Sequence, residues 1–166
     1  MSGDAPTRVL AVCRSGGGLP KIPVAGPVAI GPGGVDGDAQ RHRQVHGGPD
    51  QAVLVYAQAD YDRWRAEGFV FPRPGAMGEN LLIAGLEPAE LAVGDHLVIG
   101  AVRLELTAPR APCANLAIHH PDLPRLVRET GRGGVYCRVL AAGRVAAGDP
   151  VRHERRGRLG LDQVRA

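Results

Sequence analysis

Long helices are closed to this chain, because 24 glycines and 14 prolines punctuate its 166 residues, well above the usual share of roughly 12 % for the two together. Both residues penalise helix interiors, whereas a barrel or sandwich of short strands uses them at corners. A chain of this length closes one hydrophobic core and is too short for two sizeable ones. The expectation is therefore one domain, mainly β with short helices.

The apolar runs bear this out along the chain. "RVLAVC" (8–13), "GPVAIG" (26–31) and "QAVLVYA" (51–57) are bounded by turn residues and read as strands. "QADYDRWRAEG" then sets Ala57, Tyr61 and Trp64 at helical spacing and stops at Gly68, which predicts a short amphipathic helix whose aromatic residues are core contacts. "ENLLIAG" (79–85), "DHLVIG" (95–100) and "VRLELTA" (102–108) are further strands. In the last, Val102, Leu104 and Leu106 alternate with Arg103, Glu105 and Thr107, and Gly100-Ala101 predicts a hairpin. "HPDLPRLVRETG" reads as a helix with Leu123, Leu126 and Val127 on one face, Pro121 in the first turn and Gly131 at its end; "GVYCRVLA" (134–141) is a strand. Residues 1–7 are expected to be a flexible N-terminus, 8–153 the folded domain, and 154–166 a frayed tail.

No run approaches the roughly 20 apolar residues of a membrane span, and no basic-then-apolar leader opens the chain, so a cytoplasmic protein without membrane contact is expected. Three cysteines, Cys13, Cys113 and Cys137, are an odd number without CxxC spacing, which fits free thiols in a reducing compartment. The formal net charge is +3, and Lys21 is the only lysine among the basic residues. Arginine's planar fork suits phosphate or carboxylate oxygens. With one Trp, three Tyr and two Phe, a stacking platform for nucleic acid is weakly supported, and nucleic acid is an unlikely partner.

Four glycine-flanked clusters carry candidate chemistry. In "GVDGDAQRHRQVHGGPDQAV", His42 and His46 lie four apart, but the flanking glycines argue against the helix that metal binding at this spacing needs. Asp38 and Gln40 suit side-chain to backbone bonds that organise a loop, and His46, beside Gly47-Gly48, can face a ligand that approaches the main chain. In "GAMGENL", Gly78-Glu79-Asn80 opens a strand: glycine admits a ligand to the main chain, and Asn80 can donate to and accept from a heterocycle's edge. In "LTAPRAPCANLAIHH", the rigid Pro109-Arg110-Ala111-Pro112 approach fixes Cys113 in place. That thiol can be a small buried hydrophobe, a nucleophile activated by Arg110 or the His119-His120 pair, or a thiolate ligand to a soft metal. In "ETGRGGVYCRVL", Arg132 between glycines and Arg138 on the strand can both reach an anion, while Cys137 shares its face with Val135 and Val139 and packs, as Cys13 does.

In this order, "GDAQRHRQVHGGPDQAVLVY", "GAMGENLLIAGLEPAELAVGDHLVIG", "LTAPRAPC" and "ETGRGGVYCRVLAAGRVAAGD" resemble a MOSC domain of the stand-alone kind over roughly residues 8–153. The resemblance implies a single-domain MOSC-type β-barrel, pyruvate-kinase β-barrel-like in fold, that binds the molybdenum cofactor, a pterin dithiolene with a phosphate tail. It places the family's R-x-P-C cysteine on Cys113, as thiolate ligand to molybdenum and catalytic residue. Arg110, His46, Gly78, Glu79, Asn80, Arg132 and Arg138 become the cofactor-binding candidates, the arginines for the phosphate. Pyridoxal phosphate binding is a second association carried by the family. The sequence departs from the family where Val135 replaces a frequent aromatic, where Cys137 replaces an apolar residue, and in the glycine run of "RSGGGLPKIPV".

The function implied is reduction of small N-hydroxylated compounds, base analogues among them. The chain shows no flavin or NAD motif, so the electrons must come from an external electron-transfer protein or reductase. A rival on the same resemblance is a sulfur carrier in which Cys113 holds a persulfide for metal-sulfur or cofactor assembly. Two others stand apart from it: a non-catalytic basic barrel that binds nucleic acid, and a cysteine hydrolase pairing Cys113 with His119 or His120, which lacks an orienting acid.

Overall fold

The computed structural model of the chain describes residues 6–39 and 48–164. Its strands are β1 (Arg8–Arg14), β2 (Ile22–Pro23), β3 (Val28–Gly31), β4 (Gly34–Val35) and β5 (Val53–Ala57), then β6 (Leu81–Ala84), β7 (Ala92–Val93), β8 (His96–Ile99), β9 (Val102–Pro109), β10 (Val135–Ala141), β11 (Gly143–Val145), β12 (Arg152–Glu154) and β13 (Leu159–Gly160). Two α-helices, α1 (Gln58–Ala66) and α2 (Leu123–Thr130), interrupt them. Neither helix is long and apolar enough to cross a membrane.

Eight strands form the main sheet in the order β12-β8-β9-β10-β5-β6-β1-β2. All neighbours are antiparallel except β5 and β6, which run parallel because α1 carries the chain back between them. The sheet curls until its ends meet. Residues 148–151 bond to the outer edge of β1, through Val9 N–H to Asp149 O, Gly148 N–H to Val9 O and Val151 N–H to Thr7 O, and the same run continues as β12 onto β8. One continuous segment thus fastens the two sides of the barrel.

Alternation along each strand divides the side chains between two cores. Val53, Val55, Leu81, Ile83, Leu97, Leu104, Leu106, Val135, Cys137 and Val139 fill the barrel, and the small sheet β11-β3-β4 adds Val28, Ile30, Val35 and Val145 to it. On the other face of the same strands, Ala11, Cys13, Tyr56 and Leu82 pack against Tyr61 and Trp64 of α1, Leu123 and Val127 of α2, and Phe71, Met77 and Leu116 of the connecting segments. The aromatic core role expected for Tyr61 and Trp64 holds, as does packing for Cys13 and Cys137, each 0 % exposed.

Two expectations need correction. Helix α2 begins at Leu123, because a turn over 120–122 closes with Leu123 N–H on the His120 carbonyl, so Pro124 and not Pro121 occupies the first turn. Gly131 ends it as predicted, in the left-handed region at φ 74°. The regular backbone also continues past residue 153: β12 and β13 pair with β8 and β7, and the buried Asp95 carboxylate accepts the N–H groups of Arg156 and Gly157 at 2.9 and 2.8 Å. The attachment of 154–164 therefore rests on an acid some 60 positions earlier in the chain.

Candidate active site

Strand β9 ends at Pro109, and Arg110 adds one more rung, its N–H donating to the Gly134 carbonyl at 2.9 Å. The glycines of the "GRGG" run are what let the two chains close here. A Cβ on Gly133 would lie 2.7 Å from the Arg110 carbonyl oxygen, and one on Gly134, at φ 88°, would lie 2.8 Å from the Val55 carbonyl oxygen. The backbone thereby turns the Arg110 side chain inward, where it is only 9 % exposed.

Its guanidinium Nη1 donates to the Met77 carbonyl at 2.7 Å. Tyr136, the outward-facing residue of β10 beside it, has its phenol within electrostatic reach of the Arg110 guanidinium. Burial holds that phenol above its ordinary pKa, the Arg110 charge opposes the rise, and a charge on Cys113 adds to it. Tyr136 therefore stands within electrostatic reach of both the guanidinium and the thiol. Among the described residues no carboxylate pairs with Arg110. The other buried cation, Lys21, is matched by Asp38 at 2.5 Å.

Cys113 follows two residues after the exposed Ala111, at the head of a 3-10 turn over Ala114–Ile118 that the buried Leu116 anchors. It is half-buried, the only one of the three cysteines with any opening to solvent. It packs against the outer core, to which Gly75–Asn80, six consecutive buried residues, contributes Ala76 and Met77. An inward guanidinium without a counter-carboxylate, a phenol and an accessible thiol within three residues of that guanidinium form a site suited to a ligand with both an anionic group and a soft centre.

A model of the MOSC domain matches residues 42–152. The chain belongs to the MOSC domain family. Protein YiiM of Escherichia coli (strain K12) is 36 % identical over 141 residues, covering 80 % of this chain and 62 % of YiiM. YflK of Bacillus subtilis (strain 168) is 36 % identical over 149 residues, covering 87 % and 66 %, and a Gibberella moniliformis protein named Reductase is 36 % identical over 134 residues, covering 76 % and 23 %. The chain thus spans less than two thirds of the length of each of these relatives. The crystal structure of YiiM from Geobacillus stearothermophilus superposes with a TM-score of 0.79 at 29 % identity, over 95 % of this chain and 81 % of that one. YiiM from Escherichia coli gives 0.73 at 28 %, over 95 % and 75 %.

Within this MOSC domain the remaining candidates divide. Gly78 sits at φ 86°, and a Cβ there would meet Leu19 at 3.3 Å and Arg110 Nη2 at 3.4 Å, so the space beside its main chain is taken by the site's own arginine. Asn80 is a junction: it accepts Leu54 N–H at 3.0 Å and donates to Cys13 O at 3.2 Å and Asp38 Oδ2 at 2.9 Å, which knits β5, β1 and the 36–38 loop. Asp38 organises that loop as expected, accepting Ser15 N–H at 3.0 Å. Glu79 is fully buried against Tyr61. Arg132 lies over the Trp64 ring at 4.8 Å and donates to Glu67 at 2.7 Å, while Arg138 bonds Asp50 and Glu105 on the outer face of β10. Gln40, His42 and His46 lie outside the described residues.

The paired histidines turn to other work. His119 Nε2 donates to the Ala76 carbonyl at 2.6 Å with its ring edge-on to Phe71, and His120 Nδ1 accepts Asp122 N–H at 3.1 Å. Among the described residues no cluster of three His, Cys, Asp or Glu is placed to hold a metal by itself. Tyr136 is the site residue that sequence reasoning missed. Its signal was its place in the strand, alternating with Val135 and Cys137 and so facing outward beside the end of β9.

Proposed function

We propose that this MOSC domain holds a molybdenum cofactor and reduces N-hydroxylated compounds. The observation that carries the reading is Arg110, a buried cation with no carboxylate, three residues before the half-buried thiol of Cys113. A buried guanidinium is costly unless something anionic completes it, and the cofactor's phosphate tail has that chemistry. Cys113 would supply the thiolate to molybdenum, a soft donor for a centre already bound by dithiolene sulfur. When bound, the cofactor supplies the two-electron reduction in which the N–O bond breaks, the oxygen leaves as water and two protons are taken up.

The protein's own part is placement. Arg110 fixes one end of the ligand through its fork, Tyr136 offers a hydroxyl within electrostatic reach of both that fork and the thiol, and Leu116 anchors the turn that carries Cys113. Electrons come from a partner reductase, in keeping with the name of the fungal relative, Reductase. Pyridoxal phosphate fits less well, since the only lysine, Lys21, is buried and bound to Asp38 rather than presented as a free amine. Nucleic-acid binding is disfavoured by the pairing of Arg63, Arg103, Arg125, Arg138, Arg152, Arg155 and Arg156 with carboxylates, which leaves fewer bare cations for phosphates.

The test is metal analysis of wild type and Cys113→Ser produced with molybdate and an intact cofactor pathway. Molybdenum in the wild type, its loss in the variant, and wild-type reduction of an N-hydroxylated base analogue with reduced viologen support the reading. A wild type that holds no molybdenum and reduces nothing overturns it. Sulfane sulfur on Cys113 in that metal-free protein would point to the carrier role instead.

A further inference from the structure

Glu79 is, among the described residues, the one that buries a side-chain polar atom without a hydrogen-bond partner. The residue is 0 % exposed; Oε1 accepts the Tyr61 hydroxyl at 2.9 Å, and Oε2 is unmatched. Among the described residues it forms no ion pair. The titratable groups that face it are Cys13 of β1, Tyr56 of β5 and Tyr61 of α1, none of them a cation. Lys21, which reaches Cys13 electrostatically, is bound to Asp38.

From Glu79 a run of contacts leads to the site. The Tyr61 hydroxyl accepts Met77 N–H at 3.1 Å, and the carbonyl of the same residue accepts Arg110 Nη1 at 2.7 Å. Met77 is thus gripped at its N–H by the Glu79-Tyr61 pair and at its carbonyl by the guanidinium. With Gly78 packed against Arg110 Nη2 and Leu19, the whole 75–79 strap has little room to shift.

We infer that Glu79 is a positioning residue for the Arg110 anion site: with Tyr61 it fixes Met77, and Met77 sets where the guanidinium presents its other N–H groups. The inference rests on the anion-binding reading of Arg110. Glu79 acts as the uncharged acid. Ionised at this depth, with neither a cation nor a partner for its second oxygen, it would be far costlier than protonated, and burial raises its pKa against the pull of the Tyr61 hydroxyl and nearby backbone N–H groups. As the acid it keeps a carbonyl acceptor for Tyr61. It also leaves the Arg110 charge unopposed for an incoming anion, which a carboxylate on the far side of Met77 would offset.

Inorganic phosphate, titrated calorimetrically into the full chain at pH 7, tests this. Arg110→Met is expected to abolish binding; Tyr61→Phe, which removes the grip on Met77 N–H, to weaken it about tenfold; and Glu79→Gln, neutral and still a carbonyl acceptor, to stay within about twofold of wild type. Infrared difference spectra at pH 7 should show a carboxylic-acid carbonyl band in the wild type that Glu79→Gln lacks. Loss in Arg110→Met together with wild-type affinity in Tyr61→Phe overturns the positioning role and spares the anion site. Unchanged affinity in Arg110→Met, or no binding by the wild type, overturns the anion site itself. A Glu79 that is ionised by infrared, or a Glu79→Gln that loses tenfold or more, overturns the neutral-acid assignment.

Discussion

The Arg110 guanidinium meets the Met77 carbonyl oxygen at 2.7 Å inside the protein, a buried cation held by a neutral acceptor. Such a group is carried at a cost in folding free energy. Arg110→Met removes that cost while leaving the Met77 carbonyl unpaired, and the two effects oppose each other. Urea unfolding of Arg110→Met is expected to differ from wild type by less than about 1 kcal/mol, even though the ligand site is lost.

The Lys21-Asp38 pair behaves otherwise, because each charge has its partner. Asp38→Ala strands a buried ammonium and frees Ser15 N–H and Asn80 Nδ2 as well. A loss of about 3–5 kcal/mol is expected by denaturant titration. The double variant Lys21→Met/Asp38→Ala should recover part of it, a coupling that a double-mutant cycle measures directly.

Thiol reactivity should single out one cysteine. Burial pushes the Cys13 thiol up to about 12, and burial raises Cys137 as well. Iodoacetamide on the folded protein at pH 8 is expected to alkylate Cys113 alone, and Cys113→Ser to take up none. Both outcomes are read by intact mass, with all thiols labelling only after unfolding.

The acid limb of stability belongs to the tail. Burial works to raise the Asp95 carboxyl, but His153 and the N–H groups of Gly157, Arg156 and Ala92 hold it below its usual value. Glu154 is drawn down to about 2, by Arg103 first. A carboxyl depressed on folding stabilises fully above its unfolded value, about 3.9 for Asp, and that contribution is lost as pH falls through the folded one. Wild type should therefore lose stability from about pH 4 downwards. Asp95→Asn should cost about 2 kcal/mol at pH 7 and draw closer to wild type as pH falls through the depressed folded value of Asp95, as thermal melts on the acid side would show.

Two glycines of one loop should respond differently to alanine. Gly131 at φ 74° meets nothing within 4 Å, so only backbone strain of about 1–2 kcal/mol applies. At Gly133 the new Cβ would strike the Arg110 carbonyl at 2.7 Å, a backbone atom that cannot rotate away. Gly133→Ala is expected to lower the melting temperature more, and to reduce phosphate binding, because it displaces the residue that the loop was packed to hold.

Much of the fold was readable because its long strands and α1 bury one face. Val102, Leu104 and Leu106 announce β9, and Tyr61 with Trp64 announces α1. Strands of two or three residues such as β2, β4 and β13 have no period to read. The parallel pairing of β5 and β6 lay in their strand-helix-strand order, which composition does not display.

At the site, Cys113 and Arg110 stood out through the rigid proline approach, and the structure buries the guanidinium while leaving the thiol half-buried. Glu79 and Asn80 read as ligand contacts because polar residues beside a glycine ordinarily face outward. Their partners, Tyr61, Cys13, Leu54 and Asp38, come from other elements, and only the folded packing turns those side chains inward. Tyr136 was hidden by the same cause, since its importance comes from Arg110 on the neighbouring strand.

The segment that fastens β1 to β8 also sets a schedule for synthesis. As the chain leaves the ribosome, β2 and Val24 soon cover the Val12–Arg14 end of the outer edge of β1, but the stretch around Val9 stays bare until residues 148–151 follow, nearly a whole domain later. Through that interval the unpaired edge around Val9 invites pairing with another nascent copy. The first strand made is among the last to be satisfied, and yield at high expression should depend on how quickly that final run arrives.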